Sequence, residues 1–430
     1  MSQLQLQIKD YQSIGEKVYH TVLPSGLKIF LLPKSDFNET YAVLTSKMGS
    51  IDIRFQAPDK QVEKNYPPGL AHFLEHKLFE STDQEDILVK FTKHAAEGNA
   101  FTSFTKTSYL FSATSYIEEN LDLLFSLVSQ ANFTNDSIAH EKNIISQEIE
   151  MYQDSSDYRL FFSTLANLYP ETGLAYDIAG SLESVKEISK DDLIDAYDKF
   201  YDASNLELFI VGNFLLEDVV KKLEELDSKL KTGNKVSKER KKLDLNPVVT
   251  LGSQRMEVST PKLAIAMRGR DTVSDRERFR YKILLRLLFS MMFGWTSKRF
   301  QSLYESGKID HSLSLEVEVE DGFHFVMLTL DAEEPLTLSH QIRSAIKQFA
   351  TDPDVTEEHL DTIKSEMFGD FLHGLNSMQY MANNFESHTS GENLFDLPKL
   401  LQSIHLADVL EVGHRFIDHC DVIDYTILPK

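Results

Sequence analysis

The sequence predicts an α+β protein of two domains, and three observations carry that prediction. At 430 residues the chain is longer than one hydrophobic core ordinarily organises. Segments with the three-to-four-residue apolar spacing of helices alternate with short runs rich in β-branched and aromatic residues, which read as antiparallel-type strands. A polar, basic stretch over residues 231–247 interrupts both patterns, and after it the order of elements repeats. The expected architecture is therefore a mostly antiparallel sheet with helices packed on one side in each domain, residues 1–230 and 248–430, joined by that linker.

In the first domain, residues 20–33 read as two strands joined by the turn Pro24-Ser25-Gly26. Residues 41–50 and 101–114 read as further strands, and Leu206 to Gly212 as a buried one. Helical spacing covers residues 69–80, 86–96, 117–130, 136–151, 158–168 and 191–201. Beyond the linker the pattern gives a strand near residues 262–267, a long helix over 275–293 and a strand pair over 312–331. Helices follow Pro335, and a last strand covers 422–428.

The first helix carries the chemistry. It reads His72-Phe73-Leu74-Glu75-His76. On a helix, positions i and i+4 share a face, so two imidazoles can reach one metal while Glu75 sits beside them. This inverted H-x-x-E-H order is a metalloprotease pattern in which the glutamate is the general base. Zinc at a hydrolytic site needs a third protein donor. The helix over 136–151 offers Glu141 and Glu148, seven apart and so on one face, beside an apolar stripe drawn from Ile144, Ile145, Ile149 and Met151. Two carboxylates on a buried face are costly unless they meet a cation or hydrogen-bond donors.

These motifs, with Gly98-Asn99-Ala100-Phe101-Thr102 before a strand, resemble the pitrilysin/insulinase family of inverzincin zinc metallopeptidases over most of the chain. The wording around them is most similar to bacterial, cytoplasmic YmfH-like members. The resemblance implies that His72, His76 and Glu148 bind Zn2+, that Glu75 is the catalytic base, and that Glu141 orients a ligand histidine. Glu150, the rival third ligand, points about 200° around the helix from Glu148. The resemblance also implies that Asn99 and Ala100 lie on an edge strand that binds extended peptide substrate, and that two homologous domains face each other as a clamshell. The implied function is a zinc-dependent endopeptidase acting on peptides or small unfolded polypeptides. The alternative is a non-catalytic scaffold on the same fold, which would need none of these side chains.

One stretch departs from the family. Single-unit members carry an Arg and a Tyr in the second domain, in a pattern like Leu-Arg-x-x-x-Gly-Leu-x-Tyr. Here residues 300–311 put Tyr304 where the Arg belongs and Asp310 or His311 where the Tyr belongs, while Arg299 lies five residues too early. The stretch Tyr281–Phe293 of the helix that would be the counterpart of the H-x-x-E-H helix has no metal donors either. The expectation is a zinc-bearing subunit whose homologous partner, or a second copy of itself, supplies the Arg/Tyr pair.

Bulk composition bounds the remaining classes. Sixty-seven acidic against 44 basic residues give a net charge of −23, which disfavours nucleic acid or an anionic membrane as partner. A single cysteine, Cys420, permits no intrachain disulfide. The first ten residues lack a basic segment followed by an apolar core, and no apolar run is long enough to span a bilayer, so a cytoplasmic location is expected.

Overall fold

The computed structural model describes residues 4–56, 63–80, 87–233, 243–388 and 391–430. The larger part of the predicted linker and Asp86, the predicted start of the second helix, lie outside the described residues. In chain order the first half contains strands β1 (Gln7–Tyr11), β2 (Glu16–Val22), β3 (Lys28–Pro33), β4 (Thr40–Ser46), β5 (Arg54–Gln56) and β6 (Glu63–Asn65), then helices α1 (Leu70–Phe79) and α2 (Ile87–Lys93). Strands β7 (Ala96–Thr102) and β8 (Thr107–Ala113) follow, then α3 (Ile117–Ser129), α4 (Asn135–Gln153), α5 (Ser156–Leu168), α6 (Leu182–Glu187), α7 (Lys190–Phe200), β9 (Leu206–Gly212) and α8 (Leu216–Asp227). The second half contains β10 (Leu251–Met256), β11 (Lys262–Arg268), α9 (Arg278–Phe293), α10 (Lys298–Glu305), β12 (Ser314–Glu320) and β13 (Phe323–Asp331). It ends with α11 (Pro335–Lys347), α12 (Glu357–Gly374), α13 (Met378–Asn383), α14 (Leu397–Ser403), α15 (Leu406–Ile417) and β14 (Asp421–Pro429).

The chain forms two compact units, each assembled from separated segments. One comprises residues 1–150, 176–239 and 374–385, and the other 151–175, 240–373 and 386–430. Helix α5 thus belongs to the second unit, where it packs on β11 and β14, and α13 belongs to the first, where it packs on β4 and β9.

The first unit is built on a seven-stranded sheet in the order β1-β2-β3-β9-β4-β8-β7, and the second on a five-stranded sheet in the order β10-β14-β11-β13-β12. Both are mostly antiparallel, with one parallel pair each, β3 with β9 and β10 with β14. The last five strands of the first sheet and the five of the second have the same topology. In both, the first of the five pairs in parallel with the last in sequence, and the rest follow antiparallel. Helix α9 therefore occupies in the second unit the place that α1 occupies in the first, between the second and third of these strands.

Strand alternation separates two faces in the first sheet. Ile29, Leu31, Ala42, Leu44, Tyr109, Phe111, Leu208 and Ile210 form one core with α1, α3, α7 and α8. Phe30 and Phe209 point the other way and pack on Phe385 beside α13, so that face too is partly covered. Two sequence expectations change. The single strand predicted over 101–114 is a hairpin of β7 and β8, turned by Ser103–Lys106, where the Ser103 N–H donates to the Lys106 carbonyl at 2.8 Å. The predicted second helix ends at Lys93, and the following residues open β7. Among the described residues no helix is long and apolar enough to cross a membrane.

Candidate metal centre

Helix α1 starts where Pro67-Pro68-Gly69 turns the chain. Gly69 holds φ at +90°, a left-handed conformation costly for other residues, and a β-carbon there would lie 2.4 Å from the Ala179 carbonyl oxygen. The helix is buried on nearly every side: Leu70, Ala71, Phe73, Leu74 and Leu78 enter the core, and Glu75 and Lys77 are buried with them. The Lys77 ammonium is fully enclosed, donating to Ser137 Oγ of α4 at 2.7 Å and pairing with Glu80. That contact fixes α1 against the start of α4. His72 and His76, one turn apart, hold their ring centroids at 4.6 Å.

On α4 the buried stripe is Ile138, Glu141, Ile145 and Ile149. Ile144 and Met151, expected in that stripe, are exposed, since Ile144 adjoins Ile145 and cannot share its face. Glu141 takes an apolar position in the stripe, and its Oε1 accepts from His76 Nδ1 at 2.9 Å. That bond puts the ring proton on Nδ1 and leaves Nε2 as a free donor pair. Glu148, two turns on, faces both rings: its carboxylate oxygens lie 3.8 Å from His72 Nε2 and 3.6 Å from His76 Nε2. Glu150 is exposed on another face.

His72, His76 and Glu148 are the group that could hold a metal ion among the described residues, with one donor atom from each lying within 4.8 Å of the others. Two features of the structure fit a divalent ion. A tetrahedral centre with bonds of about 2.0–2.2 Å separates its donors by about 3.3–3.6 Å, close to the two histidine–Glu148 spacings, which are too long for hydrogen bonds. The His72 side chain is largely covered, and its Nε2 lies 3.8 Å from a Glu148 oxygen with no hydrogen bond between them, leaving room for an ion to bridge the two. Two imidazoles and one carboxylate suit zinc.

The electrostatics follow from burial. Burial, with His76 nearby, pushes the His72 imidazole down to about 3, so it stays neutral and available as a ligand. Burial pulls His76 in the same direction, but the hydrogen bond and charge of Glu141, aided by Glu75 and Glu148, outweigh it and raise the ring above its ordinary value. Glu75 is raised by burial, against the opposing hydrogen bond from Thr102. Thr102 Oγ1 donates to Glu75 Oε2 at 2.5 Å. The sequence reading did not single out Thr102. The available signal was strand alternation, which places it on the same face as Ala100.

Asn99 and Ala100 lie on β7, the edge of the seven-stranded sheet, opposite Leu110 and Tyr109 of β8. The Ala100 N–H donates to the Asn99 side-chain carbonyl at 2.8 Å. In the second unit, Lys282 of α9 donates to Glu318 of the edge strand β12 at 3.0 Å. Near the departure from the family pattern, Arg299 is engaged by the buried Asp352 and stacks over Phe293. Tyr304 is exposed and lies 3.0 Å from His311 Nε2.

Family models match over two spans, insulinase (peptidase family M16) over residues 61–181 and the peptidase M16 inactive domain over 187–367. The chain belongs to the M16, or insulinase, family of zinc proteases. It is 38% identical over 425 residues to the uncharacterized zinc protease YmfH of Bacillus subtilis strain 168, covering 98% of this chain and 99% of that protein. An uncharacterized zinc protease of Rickettsia bellii is 24% identical over 91% of this chain and 93% of its own. A crystal structure of a candidate M16-like peptidase from Alicyclobacillus acidocaldarius superposes with a TM-score of 0.90 at 25% identity, covering the whole of both chains.

Proposed function

We propose that this protein is a zinc-dependent endopeptidase hydrolysing peptides or small unfolded polypeptides, and that it is the zinc-bearing subunit of a two-subunit peptidase. The observation that carries the peptidase reading is the convergence of His72, His76 and Glu148 on one gap, with Glu75 on the same helix. In this reading the three donors hold zinc, and Glu141 fixes the tautomer of His76. Zinc, when bound, supplies a Lewis acid that polarises a peptide carbonyl and lowers the pKa of a water. Glu75 takes that water's proton during attack and delivers it to the leaving amine. The edge strand β7 holds the substrate extended through backbone hydrogen bonds, with Asn99 and Ala100 beside it. The Asn99 carboxamide must then release the Ala100 N–H to the substrate.

The two-subunit reading is supported by the second unit, where Tyr304 stands in place of the expected Arg and Arg299 is committed to Asp352. Without donors for the oxyanion beyond the metal, turnover loses an electrostatic contribution of about 3 kcal/mol. Replacing Glu75 by Gln tests the peptidase reading: the amide keeps the shape but cannot accept the proton. Zinc content should be unchanged and cleavage should fall by about 100-fold or more. Near-normal turnover in that variant would remove Glu75 from the reaction.

A further inference from the structure

We infer that Thr102 is the positioning residue of Glu75: its hydroxyl fixes the carboxylate of the base, an assignment that rests on the peptidase reading above. Glu75 is a long side chain with several rotatable bonds, and a base held loosely spends much of its time turned away from the reacting atoms. It is buried beside His76 and Glu148, the charged groups that act on it. Among the described residues, the one hydrogen bond to its carboxylate comes from Thr102, to Oε2 at 2.5 Å. The other oxygen, Oε1, is left to receive a proton.

The hydroxyl that makes this bond is itself directed. Thr102 ends β7 and pairs across the hairpin with Thr107, the first residue of β8. Thr107 is fully buried and donates its only hydroxyl proton to the Met48 carbonyl at 2.9 Å. Its oxygen, 3.3 Å from Thr102 Oγ1, can then only accept, and the Glu75 carboxylate at 2.5 Å is the nearer, charged acceptor that takes the Thr102 proton. The Ser103–Lys106 turn closes the hairpin and keeps the two threonines in register, with Lys106 N–H bonded to Ser103 Oγ at 3.3 Å. The strand that would carry the substrate thus also carries the group that aims the base.

The test compares Thr102→Val, which keeps the shape and removes the donor, with Thr102→Ser, which restores it, using Glu75→Gln as the reference. For Thr102→Val the expected result is a kcat lower by about ten- to hundredfold, the range for a lost hydrogen bond to a charged group, with KM within about twofold. Zinc content and thermal midpoint should match the wild type, and Thr102→Ser should recover kcat to within about threefold. A readout independent of turnover is the carboxylate stretch of Glu75, isolated as the infrared difference between each background and its Glu75→Gln counterpart. That band should shift in Thr102→Val and return in Thr102→Ser. An unshifted band, unchanged kcat, or a loss confined to KM overturns the assignment. Should Glu75→Gln itself cleave normally, the base reading fails first, and that result is distinct from a failure of Thr102 alone.

Discussion

His76 is held from both sides, by the Glu141 carboxylate at Nδ1 and by the face of Glu148 at Nε2. The inner contact fixes the ring's direction and tautomer before any ion arrives. Substituting Glu141 by Gln keeps the size of the side chain, removes its charge, and allows the amide to present the wrong atom to the ring. Zinc affinity should fall by about 10–100-fold in chelator competition while the thermal midpoint of the metal-free protein hardly moves. An unchanged affinity would mean that the contact is only a feature of packing. Much of this was legible from spacing alone: i and i+4 put the histidines together, and seven residues put Glu141 and Glu148 on one face. Which members of a mixed helix turn inward was not legible, because an apolar side chain on α4 can be exposed, as Ile144 is, while a carboxylate takes the core position.

The elements that bear these residues depend on a few backbone positions. Gly69 permits the left-handed turn that launches α1 directly under the Ala179 carbonyl, so Gly69→Ala is opposed both by conformation and by space. The conformational part alone is about 1–2 kcal/mol. The variant should melt several degrees lower and bind zinc more weakly, read by calorimetry and zinc titration. A wild-type midpoint would show that the turn relaxes without disturbing the helix. The Ser103–Lys106 turn was hidden in the sequence because it contains neither glycine nor proline, the residues that usually announce a hairpin. Its consequence is large, since the hairpin creates the exposed edge of β7 and places Thr102 against Glu75.

Across the whole molecule, one five-stranded topology occurs twice, and among the described residues the group that could hold a metal ion lies in the first unit. The repeat was visible in the order of elements. The exchange of α5 and α13 between units was not, because nothing local in a helix records which sheet it will cover. The second copy answers the position of α1 with an apolar α9 whose Lys282 is neutralised by Glu318, and its Arg299 is neutralised by Asp352. If a partner supplies the oxyanion donors, the purified chain should cleave peptides slowly even when fully loaded with zinc. A homologue that lacks H-x-x-E-H but carries the Arg/Tyr pattern should raise the rate, and changing that homologue's Arg to Ala should cancel the gain. Rapid cleavage by the single chain that is lost in Arg299→Ala would refute the two-subunit arrangement.

Zinc binding by His72, His76 and Glu148 is the proposal on which the peptidase reading depends. Its most direct test is the anomalous scattering of crystals grown with zinc, recorded on both sides of the zinc absorption edge. One strong peak per chain is expected within about 2.0–2.2 Å of His72 Nε2, His76 Nε2 and a Glu148 oxygen, absent from the His76→Ala protein. A peak ligated by Glu150, or full occupancy in His76→Ala, would contradict it.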